Sequence, residues 1–127
     1  MPNPSGLLWL YLANAAILIT HQIDASFWHE WDLFGVPGGS QVNLLLNIPL
    51  VALVLYGVVA LAQGRPAGRY LYGLLAATGV FTAVIHCWFL LHDAPEFRLP
   101  VSLGLLAATL SMSLAQLSAW SRLPRHG

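Results

Sequence analysis

Four of the five histidines and all five carboxylates of this 127-residue sequence fall into two groups. One reads His21-x2-Asp24-x4-His29-Glu30-x-Asp32, the other His86-x5-His92-Asp93-x2-Glu96. Imidazole and carboxylate together suit zinc, iron or copper. His21, Asp24 and His86 would supply three ligands and water the fourth, the open coordination of a catalytic zinc site. His29, His92 and Glu30 would add ligands or orient the first three. No HExxH spacing is present, so the pattern points to a metal by residue type alone.

Three other uses of the same residues stay open. Asp24 next to a histidine could act as an acid or base on a lipid-soluble substrate, tuned by burial; no Gly-x-Ser-x-Gly elbow offers a serine nucleophile. His21 and His86 could be the two axial ligands of a haem, with Gly79 leaving room for the macrocycle, although Asp24 has no part in that arrangement. Finally, His21, Asp24, Asn47 and His86 could form a hydrogen-bonded lock that fixes helix register without any chemistry.

The elements that must carry these residues are membrane spans. The composition is 57% hydrophobic and only 8% charged, where a soluble domain has about a quarter charged residues. Net charge is zero and no lysine is present, which removes the electrostatic footprint of a nucleic-acid binder. Apolar stretches at about 6–28, 42–63, 69–91 and 100–120 each approach the ~20 residues that cross a bilayer. The breaks are Pro37-Gly38-Gly39, Gly64-Arg65-Pro66 and the charged 92–98 segment. Short connections make successive helices antiparallel neighbours. The expected fold is all-α, a four-helix transmembrane bundle running up-down-up-down, with 1–127 as one domain. Ala13-Asn14-Ala15 resembles a signal cleavage site, but no basic residue precedes it, so the first stretch reads as a span.

Arg65, Arg69, Arg122 and Arg125 lie at one end of this bundle and only Arg98 at the other. The positive-inside rule then places both termini in the cytoplasm and the histidine-rich end outside. Trp28, Trp31 and Trp88 would belt the outer boundary, and Trp9, Tyr70, Tyr72 and Trp120 the inner one. Gly73-x-x-x-Ala77, Gly79-x-x-x-Ala83 and Gly104-x-x-x-Ala108 would let helices approach closely. Pro49 should disturb the second span. Cys87, in apolar surroundings, reads as an inert core thiol.

Depth ties the polar residues together. Asn14, His21, Asp24 and Trp28 share one face of the first span, and Thr78, Thr82 and His86 one face of the third. By helix rise, His21, Asn47 and His86 all lie ~10 Å inside the outer boundary. A carboxylate there costs about 2.5–3.5 kcal/mol unless Asp24 is paired or protonated. His29, Glu30, Asp32, Asp93 and Glu96 read as solvated boundary residues. Ser111, Ser113, Gln116 and Ser118 on the fourth span read as bonding to their own backbone.

The stretch His21-Gln22-Ile23-Asp24, then Phe27-Trp28 and Glu30-Trp31-Asp32-Leu33-Phe34, resembles the opening motif of a family of small bacterial four-helix membrane proteins of unknown function. That resemblance implies a bacterial inner-membrane location and the helix count, and brings no activity. The expected function is a metal- or cofactor-binding membrane protein using His21, His86 and Asn47, with Asp24 as acid or base. Membrane lipid and a second copy or a larger membrane complex are the expected partners. The alternative is a non-enzymatic accessory subunit whose polar cluster is structural.

Overall fold

The structure is a computed structural model that describes residues 4–92 and 98–125. Asp93, Glu96 and His126 therefore lie outside the described residues. The elements are α1 (Pro4–Phe27), a one-turn α2 (Glu30–Leu33), α3 (Gly39–Ala62), α4 (Pro66–Leu91) and α5 (Pro100–Ala119), closed by a 3-10 turn (Trp120–Arg122). The four long helices each meet the length and hydropathy of a membrane span, and form an all-α bundle with boundaries within three residues of those expected.

Turn chemistry sets the helix ends. Arg65 N–H donates to Ala60 O (2.8 Å) and Gly64 N–H to Leu61 O (3.1 Å), closing α3 in a Schellman motif. Gly64 supplies its left-handed residue at φ 63°. Pro66 follows at the first turn of α4, where its missing N–H costs nothing. Pro100 opens α5 in the same way.

α1 packs against α3, α4 and α5, and α4 against α3 and α5, so α1 and α4 form the central pair. The contacts of α4 explain its small residues. A side chain at Gly73 would enter the Trp120 ring, and one at Gly79 would meet Ser113 and Thr109 of α5. Gly79 thus seats α5 and leaves no space there for a macrocycle. Gly104 has open space around it and Ala77 is exposed, so those positions mediate no close approach here. Arg69 donates to Leu123 O at 2.8 Å and lies 5.1 Å from the centre of the Trp120 ring. It ties α4 to the end of α5, where a cation is favoured.

Three expectations change. Tyr72 is buried against Tyr11 and belongs to the core, not to a belt; Trp120 is half-buried beside it. Cys87 is exposed on α4. Ser113 and Gln116 do not bond to their own helix: Asn14 Nδ2 donates to both side chains, and Thr109 Oγ1 donates to Asn14 Oδ1 at 2.9 Å. Ser111 and Ser118 do bond to their own helix backbone. A buried polar knot therefore joins α1 and α5 on the side of the histidine pair nearer the chain termini.

α3 is attached unevenly. Its buried residues are Gly57 and Ala60. The Tyr11 hydroxyl fits against Gly57 and donates to Val54 O at 2.8 Å. Toward its N-terminus Leu44, Leu45, Leu46, Ile48, Leu50 and Leu53 are exposed. α3 is most deeply buried toward its C-terminus, while its N-terminal part is mostly exposed and is tied to α1 through the Asn43–Ser26 hydrogen bond.

Candidate metal centre

His21 and His86 meet where α1 faces α4. Both are buried, at 3% and 1% exposure. Their ring centres are 4.6 Å apart and the rings nearly perpendicular, at 86°.

The carboxylate that joins them is Glu30. Its Oε1 lies 3.1 Å from His86 Nε2, with its side chain 14% exposed. Ligand atoms of His21, Glu30 and His86 all lie within 4.8 Å of one another. In a tetrahedral site metal bonds of about 2.0–2.2 Å set ligand atoms about 3.3–3.6 Å apart, so binding would draw the widest pair together by about an ångström.

Glu30 reaches the bundle through a reversal of the chain. α1 ends at Phe27, and His29 adopts the left-handed conformation at φ 55°, ψ 47°. α2 then runs for one turn and closes on Gly35, where Gly35 N–H donates to Asp32 O and Val36 N–H to Trp31 O. A left-handed residue at each end folds α2 back over the end of α1. The sequence alone predicts Glu30 at the boundary, as a solvated residue or an added ligand; the turn instead brings it onto His86. The left-handed residue is not a glycine, so no turn signature marks the reversal.

The His29 conformation yields a testable expectation. A left-handed residue with a Cβ costs roughly 1–2 kcal/mol, and a β-branched one more. His29→Gly should leave thermal stability in detergent unchanged or raised by a few degrees. His29→Val should lower it by about 1–2 kcal/mol. Equal stability of the two variants would remove the turn from the account.

The protonation of His86 follows from geometry. Its Nδ1 lies 2.8 Å from Thr82 O. A carbonyl oxygen only accepts, so Nδ1 carries the proton. In a neutral ring Nε2 then presents a lone pair to the Glu30 carboxylate, another acceptor. Two acceptors at 3.1 Å need a cation between them, a proton or a metal ion. The Nδ1–H···O=C bond is also the contact that orients metal-ligating histidines.

The other expected site residues fall outside this three-residue group, although Asp24 lies within electrostatic reach of His21. Asp24 Oδ1 accepts from Trp28 Nε1 at 3.1 Å; its other oxygen is buried and accepts no hydrogen bond among the described residues. Asn47 Nδ2 donates to Asn43 O at 2.8 Å, and Asn43 Nδ2 to Ser26 Oγ at 2.8 Å, an α1–α3 tie. The His29 ring stacks on Trp31 at 4.7 Å and the His92 ring on Trp88 at 3.9 Å; both histidines are exposed.

A cavity of about 420 Å³ opens beside the triad. Its polar end holds His21, Glu30 and His86, with Gln22 and Thr82 close by. Its walls are Leu50, Leu53 and Val54 of α3 facing Leu74, Thr78 and Phe81 of α4, and Tyr11 and Leu71 line it as well. It lies between α3 and α4, where Leu50, Leu53 and Phe81 are exposed.

Residues 7–123 match the model of a protein family, described only as a family of unknown function (DUF6713). No curated protein and no solved structure matches the chain.

Proposed function

The chain belongs to that family of unknown function, and we propose that it is an integral protein of the bacterial inner membrane that binds one divalent transition metal through His21, His86 and Glu30. The observation that carries this reading is the His86 Nε2–Glu30 Oε1 approach of 3.1 Å, with Nδ1 committed to Thr82 O. Two neutral imidazoles and one carboxylate are the donor set of catalytic zinc sites and of non-haem iron(II) sites, both of which keep coordination positions open. When bound, such an ion supplies a Lewis acid and an activated water.

The chain's own residues do the rest. Thr82 O fixes the His86 tautomer. Glu30 offsets part of the ion's charge. The leucines of α3 and α4 exclude bulk water from the open side. The arginine bias supports a topology with both termini in the cytoplasm and the metal end toward the outer face. Asp24, paired with Trp28, supports the end of α1 and leaves the acid–base role to the triad. The rival reading keeps a proton in place of the metal, so that the His86–Glu30 ion pair simply pins α2 onto α4, in a subunit of a larger complex.

Metal analysis of protein purified in mild detergent decides between them. The expected content is near one equivalent of zinc or iron, without haem absorbance, falling below about a tenth in His21→Ala and in His86→Ala because ligand loss removes most of the binding free energy. His29→Gly and His92→Ala should stay loaded. A wild-type protein holding less than about a tenth of an equivalent after zinc or iron(II) addition leaves only the ion pair.

A further inference from the structure

We infer that the cavity holds a single-chain fatty acid whose carboxylate completes the coordination of the metal; this rests on the metal reading above and names the ligand of the same site. Three observations carry it.

The first is shape. The cavity runs along α4 from His86 to Leu71, fifteen residues and so roughly 22 Å of helix rise. Its volume is about 420 Å³. That is a long, narrow space, suited to one acyl chain and too small for a two-chain lipid.

The second is polarity. His21, Glu30 and His86 gather at one end, and the rest of the wall is chiefly leucine, isoleucine and phenylalanine. A ligand with one polar head and a long apolar tail matches that gradient, whereas a sugar or nucleotide would leave its hydroxyls unpaired against leucine.

The third is charge. A divalent ion with Glu30 and two neutral imidazoles carries a net single positive charge. No arginine lines the cavity; the Asp24 carboxylate, within electrostatic reach of His21, is outside the lining and engaged by Trp28. In apolar surroundings one carboxylate head neutralises this charge, and an alcohol head does not.

The way in is lateral. Leu50 and Leu53 of α3 and Thr78 and Phe81 of α4 are exposed on either side of the cavity. A chain in the bilayer can slide between α3 and α4 without crossing water.

Native mass spectrometry of the delipidated full-length protein reads both parts at once, with Zn²⁺ and either hexadecanoate or hexadecanol added. The expected species is one protein with one zinc and one hexadecanoate, and a hexadecanol adduct roughly tenfold weaker. Leu53→Trp and Thr78→Trp, which fill the cavity from opposite walls, should keep the zinc and lose the hexadecanoate. His86→Ala should lose both.

Zinc binding with equal hexadecanoate and hexadecanol adducts, or with hexadecanoate unaffected by both tryptophan variants, would overturn the fatty-acid assignment and leave the metal reading intact. Hexadecanoate binding without zinc would overturn both, as would neither adduct forming.

Discussion

Glu30→Gln should strip the metal, and Asp24→Asn should leave it in place. The two substitutions each remove one negative charge and keep size and shape, so their difference isolates geometry. Glu30 Oε1 stands 3.1 Å from His86 Nε2, while Asp24 Oδ1 is held by the Trp28 indole. A glutamine at 30 offers a neutral carbonyl oxygen in place of a carboxylate. It leaves the ion's positive charge unbalanced in an apolar pocket. The expected loss in zinc affinity is about 100-fold or more, equivalent to ~2.7 kcal/mol. Asp24→Asn should stay within about twofold, below ~0.4 kcal/mol, because an amide can still accept from Trp28. Competition against a chelator of known affinity measures both. The reverse outcome, zinc lost from Asp24→Asn and retained by Glu30→Gln, would mean that α2 does not fold back and that the carboxylate comes from the body of α1.

That contrast also marks where the sequence stops speaking. The four spans were legible because membrane length and hydropathy are properties of composition, with Pro66, Pro100 and Gly64 marking their ends. His21 and His86 were legible as partners because helical rise places both at one depth. Glu30 was legible only as an added ligand or boundary residue, not as the central carboxylate, because its position depends on one left-handed residue and His29 carries no signature for that conformation. The use of Gly79 was hidden for a different reason. A glycine announces close approach but not the partner, and the partner proved to be Ser113 and Thr109 of α5. The cavity was hidden as well, because it depends on how α3 sits against α1 and α4, held at Tyr11–Val54, at Gly57 and at Asn43–Ser26. Local pattern carries helix ends and faces; it does not carry which faces meet.

The knot around Asn14 shows the same limit and gives the largest stability effect expected away from the metal. Asn14 has no exposed surface. It accepts from Thr109 Oγ1 at 2.9 Å, donates to Ser113 Oγ at 2.9 Å and donates to Gln116 Oε1. Gln116 Nε2 in turn points to Tyr72 O at 3.4 Å. Read along α5 alone, Ser113 and Gln116 look like residues that satisfy themselves. Asn14→Leu keeps the branched outline of the side chain, at a larger volume, and removes every one of these contacts with α1. Thr109 and Ser113 can turn back to their own helix carbonyls, so their loss is small. Gln116 has no such recourse at full burial, and an unsatisfied amide costs about 1–3 kcal/mol. Averages for hydrogen bonds between membrane helices are lower, about 0.6 kcal/mol each, because the separated helices also find partners. Weighing the two, Asn14→Leu should destabilise the folded state by about 2 kcal/mol in denaturation from mixed micelles. The double variant Asn14→Leu/Gln116→Leu should recover at least half of that loss, because removing both partners leaves no buried amide unpaired. His21 stands seven residues further along α1, ~10 Å away, and its approach to His86 depends on the α1–α4 contact. Zinc affinity of the folded Asn14→Leu protein should therefore fall less than about threefold, under ~0.7 kcal/mol. A double variant no more stable than the single one would show that Gln116 is not held by Asn14. A large zinc loss in the folded single variant would show that the knot sets the register of the metal end as well as its own.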